Sequence, residues 1–328
     1  MSTAAGVDRG HLLTEQPNPS SEALDCLDTP ALVALFCEND LETQRAVAAA
    51  APALAEAVEA ISERLRSGGR LFYLGAGTSG RLGVLDAAEC PPTFCSPPEL
   101  VQGVLAGGAP ALLRSSEGLE DLFDAGRSDL EQRGFSPADA LVGIAAGGTT
   151  PYVLGGLSHA RAIGALAIAM ACVPAEQAPM PCAIDIRLLT GPELLTGSTR
   201  LKAGTATKMA LNILSTGVMV RLGKVHGNRM VDVAVTNSKL EDRALRILRD
   251  LAGVPRQRGA DLLRQAGGSV KLALLLAATG LDAEAATAAL ALHGPALRPT
   301  LEALGAELRP QAQEPEAQEP RAQDSAVS

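Results

Sequence analysis

The stretch 71–93, LFYLGAGTSGRLGVLDAAECPPT, most constrains how this chain can fold. Strand-forming residues at 71–74 lead into two glycines and a Thr-Ser-Gly cluster at 78–80, and an apolar-periodic helical segment at 82–88 follows. Glycines let backbone N–H groups approach a ligand closely, hydroxyls can donate to it, and a helix start carries partial positive charge. The pattern favours a phosphate ligand, although a plain tight turn would produce the same glycines.

A second glycine-rich turn repeats this arrangement. An apolar strand at 141–145 leads into AGGTTP at 146–151, and Pro151 is well placed to open a helix over 152–160. We therefore expect the two turns to form two walls of one anion site.

Five strand-like runs alternate with helical segments, which is typical of an α/β fold with a parallel sheet covered on both faces. The loops at the carboxyl ends of such strands hold the ligand. The predicted strands are 71–74, 100–106, 141–145, 164–171 and 183–188.

A third loop, GPELLTGSTRLKAGTATK at 191–208, precedes a long helix reaching about residue 222. Ser198 and Thr199 lie just ahead of that helix, and Arg200 and Lys202 lie in its first turns. Cations are unfavourable at a helix start, so an anion there would relieve a conflict. The alternative interpretation is that the side chains of Arg200 and Lys202 are simply solvated.

The chain divides into a lead-in at 1–40, a sheet domain at 41–236, a small all-helical subdomain at 237–306 and a disordered tail at 307–328. Within the sheet domain, one predicted helix covers 111–130. The helices predicted for the subdomain are 240–252, 259–265, 270–279, 283–292 and 296–304.

Composition excludes several classes of function. A net charge of -9, 2% aromatic residues and no Trp disfavour nucleic-acid binding. The first residues lack an apolar signal region and the longest apolar run is too short to span a membrane, so we expect a cytoplasmic protein. Six scattered Cys without a CxxC pair and four unclustered His predict no metal, cofactor or disulfide framework.

Two acidic positions are candidates for proton transfer. Glu89 stands beside Cys90, Pro91 and Pro92, where little water favours the protonated carboxyl group and hence a proton donor. A second acidic group, EGLED at 117–121, has the ordinary interpretation of a solvated helix face.

Three motifs resemble those of the N-acetylmuramic acid 6-phosphate etherases, a branch of the sugar isomerase (SIS) fold. They are GAGTSGRLGVLDAAECPPT at 75–93, GPELLTGSTRLKAGTATK at 191–208 and GNRMVDV at 227–233, within a resemblance that covers about 13–304. The resemblance implies a cytoplasmic, homodimeric bacterial enzyme of peptidoglycan recycling without a cofactor. It implies release of D-lactate and N-acetylglucosamine 6-phosphate.

The resemblance also implies roles for two carboxylates. In the ring-opened sugar the C2 hydrogen lies beside the C1 aldehyde, so a base can remove it while the C3 lactyl oxygen leaves and water then adds. The glutamate of the ECPPT motif, here Glu89, assists departure of lactate and activates water. The later glutamate of the acidic motif, Glu120, takes the C2 proton, with Glu117 as the fallback.

The remaining expected site residues bind the sugar phosphate. They are Gly77, Thr78, Ser79, Gly80, Arg81, Gly147, Gly148, Thr150, Ser198, Thr199 and Lys202.

This sequence departs from the family motifs in two places. The second loop usually reads ASGRTPY but is AGGTTPY here, which replaces a serine by Gly147 and an arginine by Thr149. Pro17 stands where the motif TEQRNP has arginine. Losing one hydrogen bond to a charged group costs about 1.5–3 kcal/mol, so we expect weakened substrate affinity rather than a lost site.

Two other functions fit the fold. An SIS aldose-ketose isomerase would use Glu193 of the GPELL motif as its base. A non-catalytic sugar-phosphate sensor would resemble the glucokinase regulatory proteins, which share the GSTRLK signature but carry two SIS domains.

Overall fold

The computed structural model describes residues 8–114, 118–232 and 238–310, and it comprises two compact units. The first unit runs to Lys224 and the second begins at Val225, ahead of the predicted domain boundary at 236. The fallback residue Glu117 and the tail from 311 onward lie outside the described residues.

A five-stranded parallel sheet forms the centre of the first unit, in the order β2-β1-β3-β4-β5. All five predicted strands are confirmed, and most of their residues are buried because helices cover both faces. The strands are β1 (Leu71–Gly75), β2 (Val101–Leu105), β3 (Ala140–Ile144), β4 (Leu166–Ala171) and β5 (Ile184–Arg187).

Eight helices and four short 3₁₀ turns make up the rest of the described part of this unit. The helices are α1 (Thr29–Asn39), α2 (Leu41–Ala49), α3 (Ala51–Arg66), α4 (Gly77–Phe94), α5 (Pro110–Leu113), α6 (Phe123–Gln132), α7 (Pro151–Ala162) and α8 (Lys202–Arg221). The 3₁₀ turns are Leu13–Glu15, Pro19–Ser21, Leu24–Cys26 and Leu119–Asp121.

Helix α4 is longer than the sequence predicts. The predicted helical segment stops at Ala88, but α4 continues through Pro91 and Pro92 to Phe94. Each proline removes a backbone N–H donor from the helix, and the packing of α4 on the sheet and on α8 offsets this loss. The helix ends at Cys95, which has a left-handed φ of 50°.

The single helix predicted at 111–130 is wrong. The structure has two separate helices, α5 and α6, with the 3₁₀ turn Leu119–Asp121 between them. Gly118 precedes this turn with a φ of 84°, a conformation that a continuing right-handed helix cannot contain.

Glycines allow α4 to lie close against the sheet. A Cβ built at Gly83 would lie 2.8 Å from the Cβ of Tyr73 on β1, and one built at Gly103 on β2 would lie 2.5 Å from the Cα of Val84. Larger residues at either position would push the helix away from the strands.

A buried ion pair stabilises the start of β3. Asp139 is 1% exposed and accepts hydrogen bonds from the Arg70 backbone and guanidinium and from the Ser136 N–H and hydroxyl. Burial raises the pKa of the Asp139 carboxyl, but these hydrogen bonds outweigh burial and hold the pKa below its ordinary value. The stability that Asp139 supplies is therefore present at neutral pH and is lost as the pH falls through this lowered pKa.

Asp139→Asn is expected to lower the free energy of unfolding at pH 7 by about 3 kcal/mol, because it removes one partner of a buried pair. Urea-induced unfolding at pH 7 and pH 3 measures this, with the exposed Asp124→Asn as control. The difference in free energy of unfolding between wild type and Asp139→Asn should be smaller at pH 3 than at pH 7. An equal difference in free energy of unfolding at both pH values would contradict the proposed ionic contribution.

Within residues 225–232 and 238–310, the second unit packs five helices around its own apolar core, which includes Leu248, Leu274 and Leu275. It begins with a two-stranded antiparallel ribbon that the sequence does not predict, formed by β6 (Val225–His226) and β7 (Arg229–Met230). The five predicted helices are present as α9 (Ser238–Ala252), α10 (Arg256–Gln265), α11 (Val270–Thr279), α12 (Ala283–His293) and α13 (Leu297–Ala303).

Among the described residues, no single helix is long and apolar enough to cross a membrane. The helices α11 and α12 meet the length and composition test only as a pair bent by 106°.

Candidate functional site

The two glycine-rich loops lie side by side at the carboxyl edge of the sheet. Strands β1 and β3 are direct neighbours, and their last residues, Gly75 and Ile144, are paired in register. The chain leaves β1 toward β2 on one side and returns to β3 on the other. This reversal opens a crevice between the two loops, where doubly wound sheets bind ligands.

The first loop presents the uncapped start of α4 to this crevice. The N-cap residue, Ala76, has no capping side chain, so the first N–H groups of the helix have no partner within the helix. Gly77 adopts a φ of 53° and a Cβ there would meet nothing within 4 Å. The predicted residues Thr78 and Ser79 lie in this first turn, half-buried.

Arg81 is committed to a different contact. Its Nε donates to the carbonyl oxygen of Ala111 at 2.9 Å, which ties α4 to α5. Its predicted contact with the sugar phosphate stays a prediction.

The second loop contains one position that only glycine suits. Gly148 has a φ of 69°, and a Cβ there would lie 2.8 Å from the Cβ of Ala178. Gly147 has neither constraint, so a serine fits there. Thr150 is the N-cap residue of α7 and its side chain makes no capping hydrogen bond.

The third loop reaches the first one. A Cβ built at Gly204 in α8 would lie 3.6 Å from Cγ2 of Thr78 and 3.3 Å from the carbonyl oxygen of Thr199. The starts of α4 and α8 are thus neighbours. Ser198 and Thr199 lie half-buried in the turn that precedes α8.

The predicted catalytic residue Glu89 lies outside this crevice. Glu89 is exposed, so the expectation of surroundings with little water is wrong for the single chain. Ten residues of α4 separate it from Ser79, which is roughly 15 Å along the axis at about 1.5 Å per residue. Glu89 instead lines a cleft of about 350 Å³ between α4 and α8.

Glu120 is exposed in the 3₁₀ turn Leu119–Asp121, which packs against α7. The helix α7 starts at the second glycine loop. The acidic turn is therefore attached to an element of the crevice.

Comparisons with known proteins agree with this architecture. A family model described as the glucokinase regulatory protein N-terminal SIS domain matches residues 53–161. An N-acetylmuramic acid 6-phosphate etherase of Synechococcus sp. (strain CC9605) is 74% identical over 92% of this chain and 95% of the relative. An etherase of Synechocystis sp. is 63% identical over 90% of this chain and 97% of the relative. This chain belongs to the N-acetylmuramic acid 6-phosphate etherase family.

One solved structure with a similar fold is the phosphoheptose isomerase GmhA from Neisseria gonorrhoeae. It is 19% identical, with a TM-score of 0.42, and the match covers 58% of this chain and 97% of the isomerase.

The structure of this etherase-family chain reveals a polar cluster that the sequence did not indicate. Asp86 lines the cleft together with Glu89, one helical turn earlier on the same face of α4, and it accepts a hydrogen bond from Ser215 at 3.1 Å. Burial raises the pKa of the Asp86 carboxyl. Lys208 and Asn212 of α8 form the opposite wall. The three-residue spacing of Asp86 and Glu89 on a helix is the sequence feature that could have indicated this cluster.

The structure gives Glu193 a structural role. Its side chain is fully buried, and its carboxylate oxygens accept the N–H groups of Lys202 and Ala203 at 3.0 and 2.9 Å. Glu193 thus supplies the anion that the cations near the start of α8 require. Burial raises the pKa of the Glu193 carboxyl and lowers that of Lys202, which is 3% exposed.

The Glu193 carboxylate is already engaged by two backbone N–H groups, and the relatives of this chain are etherases. An isomerase that uses Glu193 as its base is therefore not favoured. The sensor alternative is not favoured either, because etherase relatives match this chain over nearly its whole length.

Glu193→Gln is expected to destabilise the first unit by about 1–3 kcal/mol, because the new amide NH₂ would face one of two buried N–H donors. Thermal unfolding compared with the exposed Glu42→Gln measures the effect. Unchanged stability together with loss of activity would instead support a chemical role for Glu193.

Proposed function

We propose that this chain cleaves the lactyl ether of N-acetylmuramic acid 6-phosphate by elimination followed by hydration. The products would be D-lactate and N-acetylglucosamine 6-phosphate. The observation that carries the proposal is the 74% identity with an etherase of that name over 92% of the chain.

The crevice suits the phosphate group of this substrate. The uncapped start of α4 directs backbone N–H groups toward it, and a dianionic phosphate can satisfy them. The start of α7 offers fewer backbone donors, because Pro151 has no N–H and the N–H groups of Val153 and Leu154 donate to the carbonyl oxygen of Thr150. Thr78, Ser79, Ser198 and Thr199 add hydroxyl donors. Since Thr149 replaces the arginine usual in the family, these neutral donors carry most of the binding.

The carboxylates divide the proton transfers. Glu120 removes the proton from C2, the electron pair forms the C2–C3 double bond, and the C3–O bond breaks. Glu89 protonates the departing lactyl oxygen and then takes a proton from the water that adds at C3. As the hydroxyl adds at C3, Glu120 returns its proton to C2, so both glutamates regain their starting protonation states.

We infer that the active enzyme is a homodimer whose partner covers the cleft at Glu89. Within one chain Glu89 is exposed and lies roughly 15 Å along α4 from the phosphate loop, by the rise of about 1.5 Å per residue. Leu85, which lines the same cleft, is an apolar side chain that is 49% exposed. A second copy burying this surface would remove water from around Glu89.

We place the reaction in the cytoplasm, where cell-wall sugars are recycled. All six cysteines are free, as expected of a reducing compartment.

Lactate release from N-acetylmuramic acid 6-phosphate in ¹⁸O-labelled water tests the reaction. Unlabelled lactate and labelled N-acetylglucosamine 6-phosphate are expected, because the C3–O bond breaks on the sugar side. A folded, sugar-phosphate-binding protein that releases no lactate would overturn the proposal and favour the sensor.

A further inference from the structure

The N-terminal segment is part of the crevice. It contains the motif that usually reads TEQRNP, and Leu12 just ahead of it is 1% exposed and belongs to the core that packs the sheet against α7. The N–H of Leu13 donates to Oε1 of Gln177 at 2.9 Å, and Nδ2 of Asn18 donates to the carbonyl oxygen of Pro192 at 2.9 Å. These contacts fix the segment to the loops that follow β4 and β5.

Thr14 lies in this segment with a buried hydroxyl that has no partner. It is 0% exposed, and its Oγ1 makes no hydrogen bond within the part of the chain that the structure describes. Buried polar atoms are nearly always hydrogen-bonded, because leaving one unpaired is costly. A group that arrives from outside the chain would satisfy it.

The position of this hydroxyl indicates which group that is. A Cβ built at Gly147 would lie 3.7 Å from Oγ1 of Thr14 and 3.9 Å from Oγ1 of Thr149. Two hydroxyls thus flank the place where the family motif usually has a serine side chain. The 3₁₀ turn Leu13–Glu15, which contains Thr14, also approaches the third loop. A Cβ built at Gly197 would lie 3.0 Å from Oε2 of Glu15.

We propose that Thr14 is a substrate-binding residue whose hydroxyl donates a hydrogen bond to the sugar phosphate at the wall formed by Gly147 and Thr149. The inference rests on the proposed function, because that function makes a sugar phosphate the ligand of the second loop. Because Thr14 is the first residue of the motif that usually reads TEQRNP, this donor does not depend on which residue stands at position 147.

Binding of N-acetylglucosamine 6-phosphate to the full chain by calorimetry tests the proposal. Thr14→Val is expected to weaken binding about tenfold, the loss of one hydrogen bond to a charged group, while Thr14→Ser keeps the hydroxyl and stays near wild type. Adding Gly147→Ser to Thr14→Val should recover most of the affinity. In turnover, Thr14→Val should raise KM and leave kcat nearly unchanged.

Thr43 provides the matched control. It is 2% exposed, its Oγ1 also has no hydrogen-bond partner within the described part of the chain, and it lies on α2 rather than on a loop of the crevice. Thr43→Val should therefore bind as wild type does, and Thr14→Ala serves if Thr14→Val fails to fold.

Wild-type affinity in both Thr14→Val and Thr14→Ala, or an equal loss in Thr43→Val, would overturn the proposal. Lactate release separately decides the proposed reaction, so binding that depends on Thr14 without lactate would leave this inference standing and reject the etherase. A folded wild type that binds no sugar phosphate would overturn both.

Discussion

Glu89→Gln is expected to lower the rate of lactate release by about 10²–10⁴-fold, the range that a positioned general acid-base group contributes. The amide keeps the size of the side chain but can neither protonate the leaving oxygen nor take a proton from water. Because Glu89 lies outside the phosphate crevice of its own chain, affinity for N-acetylglucosamine 6-phosphate should change little. The measurement is steady-state kinetics beside calorimetric binding.

Glu99→Gln is a suitable control, since Glu99 is another exposed glutamate near the end of α4 and outside the motifs. It should retain wild-type turnover. Glu89→Gln with more than half of the wild-type kcat would remove Glu89 from the chemistry and leave Glu120 and Asp86 as the acidic groups to test.

Local chemistry made the sheet and the crevice predictable. The strand at 71–74 is a short apolar run that stops at glycine, and the strand at 141–145 has the same pattern. Strand, turn and helix therefore follow from the local order of residues alone. The meeting of their loops then follows from topology, because parallel strands expose their carboxyl ends at one edge. The pairing of Gly75 with Ile144 agrees with this expectation.

The parts that could not be predicted depend on contacts between distant residues. Proline normally ends a helix, and only the packing of α4 on the sheet and α8 carries it past Pro91. Similarly, nothing local distinguishes Glu193 from a catalytic carboxylate until α8 is seen to place two N–H groups on it. Thr14 lies in a lead-in whose function local pattern does not indicate, and its burial beside Gly147 appears only in three dimensions.

Mixing two inactive variants is expected to restore about a quarter of the wild-type activity if each site takes Glu89 from the partner subunit. One variant is Glu89→Gln. The other is Ser79→Asp, which places a negative charge in the phosphate loop. Random pairing makes about half of the dimers mixed, and in each mixed dimer one of the two symmetric sites receives both intact halves.

Co-expression of the two chains with different affinity tags isolates the mixed dimer for kinetic assay. That species should release lactate at about half the wild-type rate per dimer, because the second site carries both defects. The Ser79→Asp homodimer and the Glu89→Gln homodimer should each stay inactive. If Glu89 instead serves the crevice of its own chain, every site in the mixed dimer has one defect, and no recovery will occur at any mixing ratio.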